Sequence, residues 1–143
     1  MWGVIFSIIA GAAMSVQGVM NTRLSEKIGL FESNLFIQGT AFLLSLTACL
    51  IMGKNSFTEL TNIPKQYLFG GALGLIITIT VMLGIRDLSP TVSISIILIS
   101  QLLVAALIDL LGILDAEKAS LSLPKILGIC FMIAGVILIK TRK

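Results

Sequence analysis

Long apolar runs broken by short polar segments set the pattern of this chain. Trp2–Met20 holds 19 residues without a charge, Ser33–Gly53 holds 21 and Gln66–Ile85 holds 20. Leu88–Leu114 holds 27 residues with one charge, Asp109, and Ile126–Ile139 adds 14 more between Lys125 and Lys140. A helix rises ~1.5 Å per residue and a bilayer core is ~30 Å thick, so about 20 apolar residues cross it. The first four runs predict spanning helices. The fifth reaches the same length when Leu121 and Leu123 extend it and the stems of its flanking lysines snorkel. The expected spans are about 2–20, 33–53, 66–85, 88–114 and 122–140, in one all-α membrane domain over residues 1–143.

The connections predicted between these spans are short. Residues 21–32 and 54–65 read as 12-residue loops, Arg86–Asp87 as the core of a tight hairpin, and 115–125 as the fourth connection. Short links make successive helices antiparallel neighbours. In "RDLSPT", Ser89 is placed to cap the fourth helix, with Pro90 at its first position, where a missing N–H is harmless. Ser122 in "SLSLP" has the corresponding place before the fifth helix.

Composition agrees with the pattern. Hydrophobic residues make up 57% of the chain and charged residues 12%, against about 25% charged in an ordinary globular domain. The mean hydropathy is +1.08. A soluble chain of this length has too little interior to hide so much apolar surface. The first run resembles a signal peptide in position but has no basic leading segment, and four further spans follow, so it reads as a retained helix. Cys49 and Cys130 both fall within spans and give neither a disulfide framework nor a metal site. There is no histidine, and Asp109 is the one carboxylate inside an apolar run. An enzyme is therefore not expected, nor a cofactor or metal. The net charge of +3 belongs to membrane flanks rather than to a nucleic-acid footprint.

Charge bias decides orientation. The N-terminal side of the expected topology carries Lys54, Lys65, Lys118 and Lys125, four in all, and the opposite side carries six, Arg23, Lys27, Arg86, Lys140, Arg142 and Lys143. That difference is small for the positive-inside rule. It allows one topology with a cytoplasmic C-terminus, or insertion in both orientations.

Small residues recur at packing intervals. Gly3, Ser7, Gly11 and Ser15 form an i, i+4 ridge, Gly70, Gly71 and Gly74 open the third span, and Gly128 and Gly135 lie one heptad apart. Such positions let helix backbones approach closely, and helix packing is the favoured role for them. Met14 and Met82 read as core filling. The polar groups inside the runs are the candidate site. Gln17 and Asn21 end the first span, while Asn34, Gln38 and Ser45 form a stripe at the start of the second, at the same end of the membrane. These amides either line a polar vestibule or clamp the hairpin. Gln101 lies near the midplane of the fourth span, and Asp109 is eight residues on, ~12 Å along the axis, so each needs its own partner. A charged or amide group in a bilayer marks function by default. Asp109, five residues before the end of its run, is expected either to be a solvated helix-end residue or to couple function to protonation or pair with a basic residue such as Lys118.

"QGVMNTRL" at 17–24, "GGALG" at 70–74, "SQLL…IDLLG" ending at Gly112 and the spaced Gly128 and Gly135 together resemble the bacterial YdcZ-type family of the drug/metabolite transporter superfamily. The resemblance covers essentially the whole chain. Ser100 departs from it where a glycine commonly precedes the glutamine, and Leu110 where a histidine often follows the aspartate. The resemblance implies a five-helix unit equal to half of a ten-helix inverted-repeat transporter, with a substrate site near mid-membrane. The expected protein is a multi-pass transporter of small molecules in the bacterial inner membrane. It would work by alternating access as an antiparallel homodimer among membrane lipids, with no nucleic-acid partner. Gln17, Asn21, Gln38 and Gln101 are the expected substrate-binding groups. The first span carries no carboxylate for a cation, so a neutral, zwitterionic or weakly polar metabolite is favoured. The rival readings are a passive pore-forming oligomer, which needs a continuous polar stripe that no span has, and a partner subunit of a heteromeric transporter.

Overall fold

Five helices form where the apolar runs lie. The computed structural model describes residues 2–53, 57, 60, 63–120 and 122–141. Lys54, Leu121, Arg142, Lys143 and much of the expected 54–65 loop lie outside them. The helices are α1 (Trp2–Ile28), α2 (Leu30–Met52), α3 (Gly70–Asp87), α4 (Pro90–Leu111) and α5 (Leu123–Thr141), and a 3-10 turn, Lys65–Phe69, leads into α3. Each of the five is long and apolar enough to cross a membrane, α3 together with its leading turn. No strand occurs among the described residues.

The first connection differs from expectation. Instead of a loop over 21–32, α1 continues to Ile28 and α2 starts at Leu30, with Gly29 alone between them. Charges mark where a helix leaves the bilayer, not where its hydrogen-bond ladder ends. Arg23 and Glu26 pair at 3.0 Å one turn apart on the continuing helix, and Thr22 is buried on its inner face. The ladder crosses the break, because Gly29 N–H donates to Ser25 O and Ser33 N–H to Gly29 O, both at 3.1 Å. The chain turns at Gly29 through φ 99° and ψ 157°. That region is open to glycine and strained by about 1–3 kcal/mol for other residues. Gly29→Ala should therefore lower unfolding stability by about that amount, measured by thermal melting in detergent; an unchanged melt would mean that the turn relaxes freely.

The fourth helix starts as predicted and ends early. Ser89 Oγ accepts from Val92 N–H at 3.5 Å, and Pro90 occupies the first turn. The helix stops at Leu111 rather than 114, because Gly112 takes a left-handed φ of 63° and its N–H returns to Ile108 O at 2.8 Å. This is a common glycine helix stop. Ala119 N–H then donates to Asp109 O at 2.8 Å, satisfying one of the carbonyls left open at the helix end. Ser122 precedes α5, and its carbonyl accepts from Ile126 N–H at 3.2 Å.

The chain falls into two compact units, residues 1–87 and 88–143. In the first, α1 packs on both α2 and α3, and α2 packs on α3. Its buried residues are Gly18 and Thr22 of α1, Ser33 and Asn34 of α2, and Met82 and Ile85 of α3. All lie toward the Gly29 end of their helices. Gly18 sets the closest approach, since a Cβ there would stand 2.9 Å from Ile85 Cδ1 and 3.2 Å from Val81 Cγ1. Ser33 Oγ donates to Leu30 O at 2.9 Å and lies 3.7 Å from Met82 Sδ. The other halves of these helices, from Trp2 to Met14 on α1 and from Thr40 to Thr47 on α2, are exposed. The second unit is the hairpin of α4 on α5.

Candidate functional site

The expected amides separate into three settings. Gln17 and Asn21 stand on one face of α1, as their spacing of four dictates. They line an open groove of about 660 Å³ with Ala12, Ala13, Val16 and Met20 among its walls. Gln38 is engaged elsewhere. Its Nε2 donates to Thr78 Oγ1 on α3 at 3.4 Å, and the Thr78 hydroxyl donates to Gly74 O at 2.8 Å. Gly74 lies beside this contact, with Gln38 Nε2 at ordinary van der Waals distance, 3.6 Å, from its Cβ position. Gln38 thus joins α2 to α3 rather than to the α1 amides. No sequence spacing marks Thr78, which stands one turn after Gly74.

Gln101 is the twelfth of the 22 residues of α4 and is exposed, and its side-chain amide makes no hydrogen bond among the described residues. Asn34 is the opposite case. It is 5% exposed, and its Oδ1 is buried without a partner.

Asp109 pairs with a lysine, but not with Lys118. Lys125 Nζ on the first turn of α5 lies 3.8 Å from Asp109 Oδ2, both side chains being about half exposed. The left-handed stop at Gly112 folds the following segment back, so that Lys118 Cβ would stand 3.2 Å from a Cβ at Gly112. That commits the stem of Lys118 to the helix end and leaves Lys125 facing the carboxylate. The pair sits at one end of a cleft of about 460 Å³ between α4 and α5, which Ala105, Ala106, Gly128 and Met132 also line.

The glycines expected to pack helices are open. At Gly3, Gly11, Gly128 and Gly135 nothing lies within 4 Å of where a Cβ would be. Ser7 and Ser15 donate to the carbonyls of Gly3 and Gly11, one turn back on their own helix. Gly18, seven residues after Gly11, is where another helix comes close, with Ile85 Cδ1 at 2.9 Å from its Cβ position. Among the described residues no group of three or more His, Cys, Asp or Glu side chains gathers as a metal site.

Five apolar spanning helices, bearing amides along their lengths and the Asp109–Lys125 ion pair between α4 and α5, define a polytopic membrane protein of transporter type. The chain belongs to the family described as "Putative inner membrane exporter, YdcZ", whose model matches residues 2–138. It is a multi-pass protein of the inner membrane. No curated protein and no solved structure matches it.

Proposed function

We propose that the chain is one half of an antiparallel homodimer that moves a small neutral or zwitterionic solute across the membrane by alternating access. Gln17, Asn21, Gln38 and Gln101 are its solute-facing polar groups. The observation that carries this reading is Gln101. An amide at the centre of a spanning helix, exposed and without a hydrogen bond, is unfavourable against hydrocarbon, where each unsatisfied polar group costs several kcal/mol. A second copy, or water and solute in a path between copies, would remove that penalty. The open glycines on α1 and α5 support the same reading, since they offer backbone surface that the chain itself does not use. Five spans in a family of exporters also fit half of an inverted-repeat transporter. Asp109 already faces Lys125 and is left out of the solute path.

Gln101→Leu tests this on purified protein screened against a metabolite panel by ligand-induced thermal shift. Compounds that raise the melting point of the unaltered protein should leave the variant's unchanged, while its own melting point and its dimer stay nearly intact. Interhelical hydrogen bonds in membranes average only ~0.6 kcal/mol, so replacing the amide by an alkyl group removes little stability. A variant that melts lower and still binds would make Gln101 a structural clamp.

A further inference from the structure

The cleft between α4 and α5 combines features that the solute path does not use. Asp109 lies in the last turn of α4 and Lys125 in the first turn of α5, so both charges stand at the same end of the hairpin. From there the cleft runs along Ala105 and Leu102 on one side and Gly128 and Met132 on the other. Seven residues separate Leu102 from Asp109 and Lys125 from Met132, a length of ~10 Å along each helix. The result is a charged mouth at the ends of two apolar helices and an apolar trough running toward their middle. Its volume of about 460 Å³ falls within the ~300–1,000 Å³ of small-ligand pockets.

We propose that this cleft is a binding site for an amine-bearing zwitterionic phospholipid, phosphatidylethanolamine in chemical type. The ion pair is loose. At 3.8 Å it is longer than the ~2.7–2.9 Å of a direct charge-assisted hydrogen bond, and both side chains are about half exposed. Such a pair contributes little to stability and opens readily. A ligand with one charge would satisfy one member and leave the other unpaired beside apolar surface. A head carrying both signs exchanges the pair for two contacts, its ammonium donating to the Asp109 carboxylate and its phosphate accepting from the Lys125 ammonium. A choline head has no N–H to donate, and a glycerol head has no cation. The trough selects a lipid over a water-soluble zwitterion, because it gives an acyl chain a place beneath the head. Gly128 keeps that place open, with nothing within 4 Å of its Cβ position. Head groups are known to bind basic pockets between spanning helices, and the aspartate adds selectivity for the amine.

The full-length protein, delipidated in a neutral detergent, is titrated with dioctanoyl phosphatidylethanolamine, phosphatidylcholine and phosphatidylglycerol, with retention read by native mass spectrometry. Phosphatidylethanolamine should bind at least tenfold more tightly than either of the others. Asp109→Asn, which removes the charge that the ammonium answers, and Gly128→Phe, which grows into the trough, should each erase that preference, whereas Lys125→Gln, which removes the phosphate contact, should weaken all three lipids alike. Free phosphoethanolamine should bind at least a hundredfold more weakly than the lipid. Equal retention of the three lipids, or a preference that survives Gly128→Phe, overturns the proposal. Free phosphoethanolamine binding as tightly as the lipid also overturns it and transfers the cleft to a soluble zwitterion. If Asp109→Asn does not fold, Gly128→Phe decides alone, since its side chain enters unoccupied space.

Discussion

Gly18→Leu should separate α1 from α3 and lower stability by about 1–3 kcal/mol or more, the usual range for overpacking a tight contact. Even the first atom of a new side chain meets Ile85 Cδ1 at 2.9 Å and Val81 Cγ1 at 3.2 Å. The two neighbours respond differently. Ile85 Cδ1 is the end of a flexible side chain and can turn away, whereas a valine on a helix is held to one strongly preferred rotamer. Gly18→Ala should therefore be a mild defect, and Ile85→Val, which deletes the nearest atom, should restore much of it. Gly18→Leu has no such escape, because Ile85 is already buried against it and Val81 is held in its rotamer. Thermal melting of the four proteins in one detergent checks the ranking. If Gly18→Leu melts with the unaltered protein, the α1–α3 contact is not a packed one, and the ridge at Gly3–Ser15 becomes the better candidate for the close approach of α1.

What the sequence discloses follows from which physical quantity each feature depends on. Spans depend on length and apolarity, so all five are legible, and so is the Ser89–Pro90 start of α4, because a cap is a local device. The end of α1 is not. Asn21–Ile28 carry charges that read as a loop, yet polar residues form helix well outside a bilayer, and it is the unusual dihedral angles at Gly29 that turn the chain. Tertiary partners are the least legible. Gln17 and Asn21 share a face because four residues make one turn, but that Gln38 reaches Thr78 depends on where α3 lies against α2. The choice of Lys125 over Lys118 for Asp109 likewise depends on the left-handed turn at Gly112, whose consequence for the next segment no spacing rule contains. Gly18 was hidden in plain view. The ridge from Gly3 to Ser15 runs at intervals of four, and the residue that makes the contact lies three further on.

Both orientations of the chain should be present in the membrane, and each should be needed for assembly. Lysine and arginine counts on the two sides differ by little, with Lys54, Lys65, Lys118 and Lys125 facing Arg23, Lys27, Arg86, Lys140, Arg142 and Lys143 across the expected topology. Orientation follows that bias near the span ends rather than net charge. Reporters fused after Lys143 should accordingly be active on both sides. Three lysines added to the 54–65 segment together with Lys27→Gln should drive the population to N-terminus-in. Glu26→Lys with Asp87→Lys should drive it the other way. The second pair removes only the exposed contacts to Arg23 and Arg86, which contribute about 0–1 kcal/mol, so misfolding is not the expected outcome. Two differently tagged copies of the same biased variant should then fail to copurify, while one copy of each bias should copurify as the unaltered protein does. That pattern is specific to an antiparallel pair, because a parallel dimer would strengthen when all copies insert alike. A one-sided reporter signal from the unaltered chain would remove the homodimer and point to a second, oppositely biased chain as the missing half. Copurification of like-biased copies would leave the transporter reading in place but make its dimer parallel.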